Sequence, residues 1–142
     1  MVIYGILIVL IYTYYAYKKD KKSTSLKLNL DEEIKQGLES LKIGMTEYIQ
    51  SGETEYSEKE VEKCLKLIDA FLYDIAQSKN KEAGLKIVKN IVIKLNELNE
   101  DCGNELIETD QREQIANIII LAGHLKGYNE RDEDITEEWR EW

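Results

Sequence analysis

From Val2 to Tyr17 the chain is an unbroken run of apolar and aromatic positions, with nothing more polar than Thr13 and the tyrosines, and it closes on Lys18-Lys19-Asp20-Lys21-Lys22. Beyond residue 30 the pattern becomes helical, with apolar residues returning every three or four positions. Ile34, Leu38, Leu41, Met45 and Tyr48 form a first stripe that opens at Asp31 and stops at Ser51-Gly52. Val61, Leu65, Ile68, Leu72 and Ile75, widened by Cys64 and Phe71, repeat that spacing behind Ser57-Glu58-Lys59-Glu60. The latter reads as a capping box, in which the serine hydroxyl accepts from the N–H of residue 60 and Glu60 reaches back to the N–H of residue 57.

A tight connection at Ser78-Lys79-Asn80 leads into a third stripe, Gly84, Val88, Ile91, Leu95 and Leu98, flanked by Leu85, Ile87 and Val92 and ended by Gly103 as the C′ residue. Asp110 and Glu113 repeat the cap spacing ahead of a fourth stripe, Ile115, Ile118, Ile119, Ala122 and Leu125, which ends at Gly127. Trp139 and Trp142, three apart on one face, place a last short helix from about Asp134 or Thr136.

These elements predict an all-α protein: a single N-terminal membrane-spanning helix, then a small four-helix bundle in up-down-up-down order, then a short C-terminal helix. The spacing of 3.5 residues per turn fits knobs-into-holes packing at about 20°. The organisation expected is 1–22 as anchor and basic flank, 23–30 as an extended linker with Leu26, Leu28 and Leu30 alternating through it, and 31–142 as an acidic bundle with a tryptophan-bearing tail.

The anchor is short. Residues 2–17 in a helix rise about 24 Å against a hydrocarbon core of about 30 Å. Snorkelling lysine stems extend its reach. Tyr12, Tyr14, Tyr15 and Tyr17 crowd beside Lys18, Lys19, Lys21 and Lys22, with Tyr4 near the other end, as rings and cations do at headgroup level. The lysines follow the segment and no charged side chain precedes it, so the positive-inside rule keeps the C-terminal domain in the cytoplasm. A cleaved signal peptide fits less well, because the charged n-region is missing and the small residue near the end, Ala16, is followed by Tyr17 and lysines. A buried strand suits the β-branched content, but no second strand run exists to take its backbone hydrogen bonds.

Composition sharpens the helical reading: among 142 residues there is no proline, and leucine, isoleucine, lysine and glutamate are plentiful. Two cysteines, Cys64 and Cys102, are too few for a disulfide framework, and Cys64 reads as a small core residue. Charge is uneven. Residues 18–22 carry four lysines and one aspartate, so with −9 for the whole chain the residues after them carry −12. Such a domain repels nucleic-acid phosphates and selects cationic partners.

Chemistry-bearing motifs are sparse. His124 lies near the end of the fourth helix with Leu121 three residues before it, so the Glu-x-x-His pattern of two-metal bundles is missing. An EF-hand loop begun at Asp132 would need glycine at 137, where Glu137 stands. Glu105, Glu108 and Asp110 are the candidates for paired-carboxylate chemistry, in a polar connection where water keeps them ionised. No glycine-rich phosphate loop or nucleophile elbow occurs. The expectation is a non-enzymatic protein with no cofactor and no metal.

Two acidic surfaces remain, one from Glu97 through Asp110 and one in the tail. From Glu130 to Trp142 the tail holds seven acids and two arginines. Trp139 and Trp142, within a collar of Asp132, Glu133, Asp134, Glu137 and Glu138, are the expected anchors for a basic partner. The first function class is therefore a membrane-anchored acidic module that sequesters or inhibits a cationic protein, as small bacterial immunity proteins of similar size and charge do, although no motif is shared with them. The second is a single-pass structural subunit of a membrane complex, with Gly5 allowing close helix approach. The two are separated by whether the anchor or the domain captures the partner.

Overall fold

A computed structural model describes the backbone of residues 2–142 and the side chains of residues 9–27 and 29–142. The protein is all-α. Its helices are α1 (Val2–Ser51), α2 (Glu58–Gln77), α3 (Lys81–Asp101) and α4 (Thr109–Leu125), and no strand occurs among the described residues. The chain divides into two compact units, Met1–Glu33 and Ile34–Trp142.

In the first unit the side chains of residues 9–27 are all exposed, the large apolar and aromatic ones from 49% at Ile11 to 78% at Tyr12. Residues 23–30 are helical, which corrects the extended linker. Neither proline nor glycine interrupts them, and Thr24, the residue type most prone to leave a helix, donates its hydroxyl to the Asp20 carbonyl at 2.9 Å within the helix itself. Among the described residues no helix is long and apolar enough to cross a membrane. The N-terminal apolar side chains through Ile8, with the expected interfacial Tyr4, lie outside the described residues.

The second unit buries the predicted stripes. Ile34, Leu41 and Met45 of α1, Val61, Cys64, Ile68, Phe71 and Ile75 of α2, Val88, Ile91, Val92 and Leu95 of α3, and Ile115, Ile118, Ile119 and Leu121 of α4 make its core. Leu38, Tyr48, Leu65, Leu72 and Leu125, on the same stripes, are half-buried at the margins. The helix directions follow from contacts at the ends. Lys126 Nζ donates to the Ala76 carbonyl at 3.0 Å and Tyr128 Oη to the Ser78 carbonyl at 3.2 Å, so α4 ends where α2 ends and the two run the same way. Tyr128 also lies against Gly84 at the start of α3, which therefore runs the opposite way. A Cβ placed on Gly37 would meet Ile118 Cγ1 at 3.2 Å, and one on Gly44 would meet Gln111 Nε2 at 3.2 Å. Two glycines seven residues apart thus let α1 lie close against two α4 positions seven apart, antiparallel to it.

The helix ends are chemically defined. Past α3, Gly103 (φ 67°) donates to the Glu100 carbonyl and Asn104 (φ 63°) to the Asn99 carbonyl, a Schellman closure. Past α4, Gly127 donates to the His124 carbonyl and Tyr128 to the Gly123 carbonyl in the same way. At α2 the N-cap is Ser57 and the predicted capping box is present, with Glu60 Oε2 accepting the Ser57 N–H at 2.9 Å and the Ser57 hydroxyl as well. These bonds hold the Glu60 carboxyl below its usual pKa. The N-cap of α4 is Glu108, so Asp110 stands in the first turn and does not cap it.

The expected short C-terminal helix is a single turn. Trp139 and Arg140 both donate to the Thr136 carbonyl, and the pattern goes no further. The reason is that the backbone of this segment bonds elsewhere: Asn96 of α3 donates Nδ2–H to the Trp139 carbonyl at 2.8 Å and accepts the Glu141 N–H at 3.2 Å.

Candidate protein-binding surfaces

The tail after α4 is laid onto the bundle through two gaps that glycines leave. A Cβ on Gly84 would lie 2.3 Å from Tyr128 Cε2, and one on Gly123 would lie 2.2 Å from Asn129 Oδ1. Tyr128 fills the first gap, its Oη pairing with the Ser78 hydroxyl at 2.8 Å and lying 3.2 Å from the Ser78 carbonyl oxygen, to which it donates. Asn129 fills the second, donating Nδ2–H to the Ile120 carbonyl at 3.1 Å, while its own carbonyl pairs with His124 Nδ1 at 2.9 Å. His124 is thereby a tail-holding residue.

Further along, Asp134 organises the turn. Its Oδ1 accepts the Thr136 N–H at 2.9 Å and the Thr136 hydroxyl at 2.6 Å, and its Oδ2 accepts from Arg140 Nη1 at 3.1 Å. Partial burial alone would raise the Asp134 pKa; the Thr136 bonds and the Arg140 charge outweigh it and hold the carboxyl below its ordinary value. The Arg140 guanidinium then lies 5.3 Å from the centroid of the Trp142 ring. Trp142 is only 7% exposed.

This placement revises the expected anchor pair. Trp142 is withdrawn into the chain's own packing, because an indole left in water forgoes far more than its neighbouring acids gain. Trp139 is half-buried, with the Lys89 ammonium 6.0 Å from its ring centroid. Asp134 is engaged by Thr136 and Arg140. Asp132, Glu133, Glu137 and Glu138 are exposed, and Glu133 Oε2 accepts the Glu130 N–H at 2.9 Å. The residues expected at a membrane interface, Tyr12, Tyr14, Tyr15, Tyr17, Lys18, Lys19, Lys21 and Lys22, are all exposed. Of the connecting acids, Glu105 Oε2 accepts the Glu55 N–H at 3.3 Å, while Glu108 and Asp110 are exposed. Among the described residues no group of three or more metal-ligating side chains converges. Cys64 is a core residue whose burial pushes the thiol up to about 12.

A second surface was not legible in the sequence. Between the last turns of α1 and the first turn of α4 lies an open cleft of about 490 Å³. Gln111 and Gln114 line it, Gln111 only 2% exposed, and the side-chain carbonyl oxygens of both are buried without a hydrogen-bond partner. Glu47, Glu53 and Asp110 line it as well, and no lysine or arginine does. The signal that points to it is Gln111 itself: four residues before Ile115, it extends the fourth stripe inward, where an apolar residue would be ordinary.

No protein family, curated protein or solved structure matches this chain. The functional reading therefore rests on these residues.

Proposed function

We propose that this chain is a non-enzymatic, membrane-tethered acidic binding module that sequesters or inhibits a cationic protein. Residues 2–17 enter the bilayer and the unit Ile34–Trp142 faces the cytoplasm. The observation that carries this reading is the contrast along α1. Val9, Leu10, Ile11, Tyr12, Tyr14, Tyr15 and Tyr17 are all exposed and point around the whole helix, and four lysines follow them at once. Apolar side chains on every face of a helix call for an apolar surrounding on every face, and tyrosine next to lysine is the composition of a headgroup boundary. What the tether holds at the membrane is a domain whose net negative charge steers basic proteins to it, with no lysine or arginine lining the cleft and with Asp132, Glu133, Glu137 and Glu138 exposed in the tail.

The test is fractionation of the full-length chain with an alkaline carbonate wash, followed by protease treatment of sealed vesicles of known sidedness. Retention through the wash, with the acidic unit on the cytoplasmic side, is the expected result. Release by the wash overturns the tether. Binding of a basic protein to the full chain in detergent is then measured against salt, and it is expected to weaken as ionic strength rises. Binding lost only when residues 2–17 are exchanged for an unrelated spanning helix would instead assign the chain to a membrane complex as a structural subunit.

A further inference from the structure

We propose that the cleft between α1 and α4 is a receptor for one arginine side chain of the cationic partner. This deepens the binding-module reading and rests on it. The carbonyls of Gln111 and Gln114 are buried acceptors with no donor in the chain. A buried carbonyl left unpaired is destabilising, and it is uncommon enough in folded proteins to require a reason. A donor-rich ligand supplies one.

Everything around the two amides favours a cation. Glu47, Glu53 and Asp110 line the cleft and no basic side chain neutralises them there. Helix α1 ends at the cleft, where Tyr48 and Ser51 line it, and its last turn holds no basic residue, so the negative end of its dipole is uncompensated. The opposing positive end of α4 is offset by Asp110 in its first turn. Gly44 keeps the wall thin: any side chain there would crowd the Gln111 amide, whose Nε2 stands 3.2 Å from a Cβ at that position.

Guanidinium suits this lining better than ammonium. It offers five donors in a plane, enough to reach two amide carbonyls and a carboxylate together. It is also more weakly hydrated, so it enters a partly dry floor more readily than the compact, strongly hydrated lysine head. Arginine is moreover enriched among the residues that dominate protein interfaces.

The experiment titrates isotope-labelled full-length protein in zwitterionic nanodiscs with N-acetyl-arginine-N-methylamide, its lysine counterpart and magnesium ion, following the side-chain amide signals of Gln111 and Gln114. Saturable shifts are expected with the arginine probe. Gln111→Met is expected to weaken its binding about tenfold, the effect of losing one hydrogen bond to a charged group. The same variant is expected to raise the melting temperature by about 4 °C, because it removes an unpaired buried carbonyl while conserving volume. A merely structural glutamine would give the opposite sign. The double variant Glu137→Gln/Glu138→Gln is expected to leave the arginine shifts unchanged. Equal response to lysine or magnesium, unchanged affinity in Gln111→Met, or a lowered melting temperature with it overturns the proposal.

A polyarginine peptide separates the two levels. If it binds wild type and Gln111→Met alike, the cleft assignment falls and the module stands. If it fails to bind while the small probe saturates the cleft, the module reading falls alone.

Discussion

The tail and the α1–α4 cleft are both acidic regions of one unit, yet they differ in what the chain itself has done with their polar groups. In the tail, Asp134 accepts three hydrogen bonds, one of them from Arg140, Asn96 clamps the backbone from both sides, and Trp142 is buried, while Asn129 Oδ1 and Trp142 Nε1 are left without a partner. In the cleft, two carbonyls have no donor and three carboxylates have no lining cation. The lesson is that negative charge does not mark a binding surface by itself. Unmet acceptors that line an open, acidic cleft do, because there a ligand can add bonds the folded chain lacks.

The comparison can be broken most severely at Trp142. If the tail is a fixed part of the unit, Trp142→Ala lowers stability by about 3–5 kcal/mol, as for other large buried aromatics, and this is read in denaturant unfolding. A change within about 0.5 kcal/mol would return Trp142 to the surface and restore it as a partner anchor. A smaller effect is expected at Asp134. Asp134→Asn removes the charged acceptor for Arg140 and Thr136, with an expected loss of about 1–2 kcal/mol at neutral pH.

Asp134 also gives a pH signature. Its folded pKa lies below its ordinary value of 3.8, so its contribution is fully present above that value and is lost as pH falls from there through the folded pKa. The stability difference between wild type and Asp134→Asn should therefore shrink on acidification below about pH 4 and stay flat between pH 5 and 8. The smallest effect belongs to the exposed collar: Glu137→Gln/Glu138→Gln should leave stability within about 0.5 kcal/mol in the same assay. A larger loss there would show that the collar is engaged within the chain as Asp134 is.

The helical stripes were legible because burial and helical period reinforce each other. Ile34, Leu41 and Met45, or Val88, Ile91 and Leu95, needed only spacing to be placed on a core face. The ends were legible for a related reason, since Gly52, Gly103 and Gly127 adopt positive φ that other residues resist. Local chemistry was a weaker guide where two options were nearly equal. The Ser57/Glu60 capping box forms as read, but Asp110 yields the cap of α4 to Glu108. At residues 23–30 polar composition suggested a linker, yet the segment is helical, with the Thr24 hydroxyl bonding back to the Asp20 carbonyl in the preceding turn.

What the sequence by itself determined is the helical class, the four core stripes, the glycine-ended helices and the strong acidity after the lysines. Each depends on neighbours within a turn or two, or on a simple sum of charge. Only the tertiary structure decided which glycines admit a neighbour: Gly84 admits Tyr128, Gly123 admits Asn129, and Gly44 admits the Gln111 amide. It likewise decided that the tail folds back through Asn96 and that Gln111 and Gln114 face a cleft with no donor. These depend on residues dozens of positions apart meeting at ångström distances, and no periodicity along one chain carries that distance.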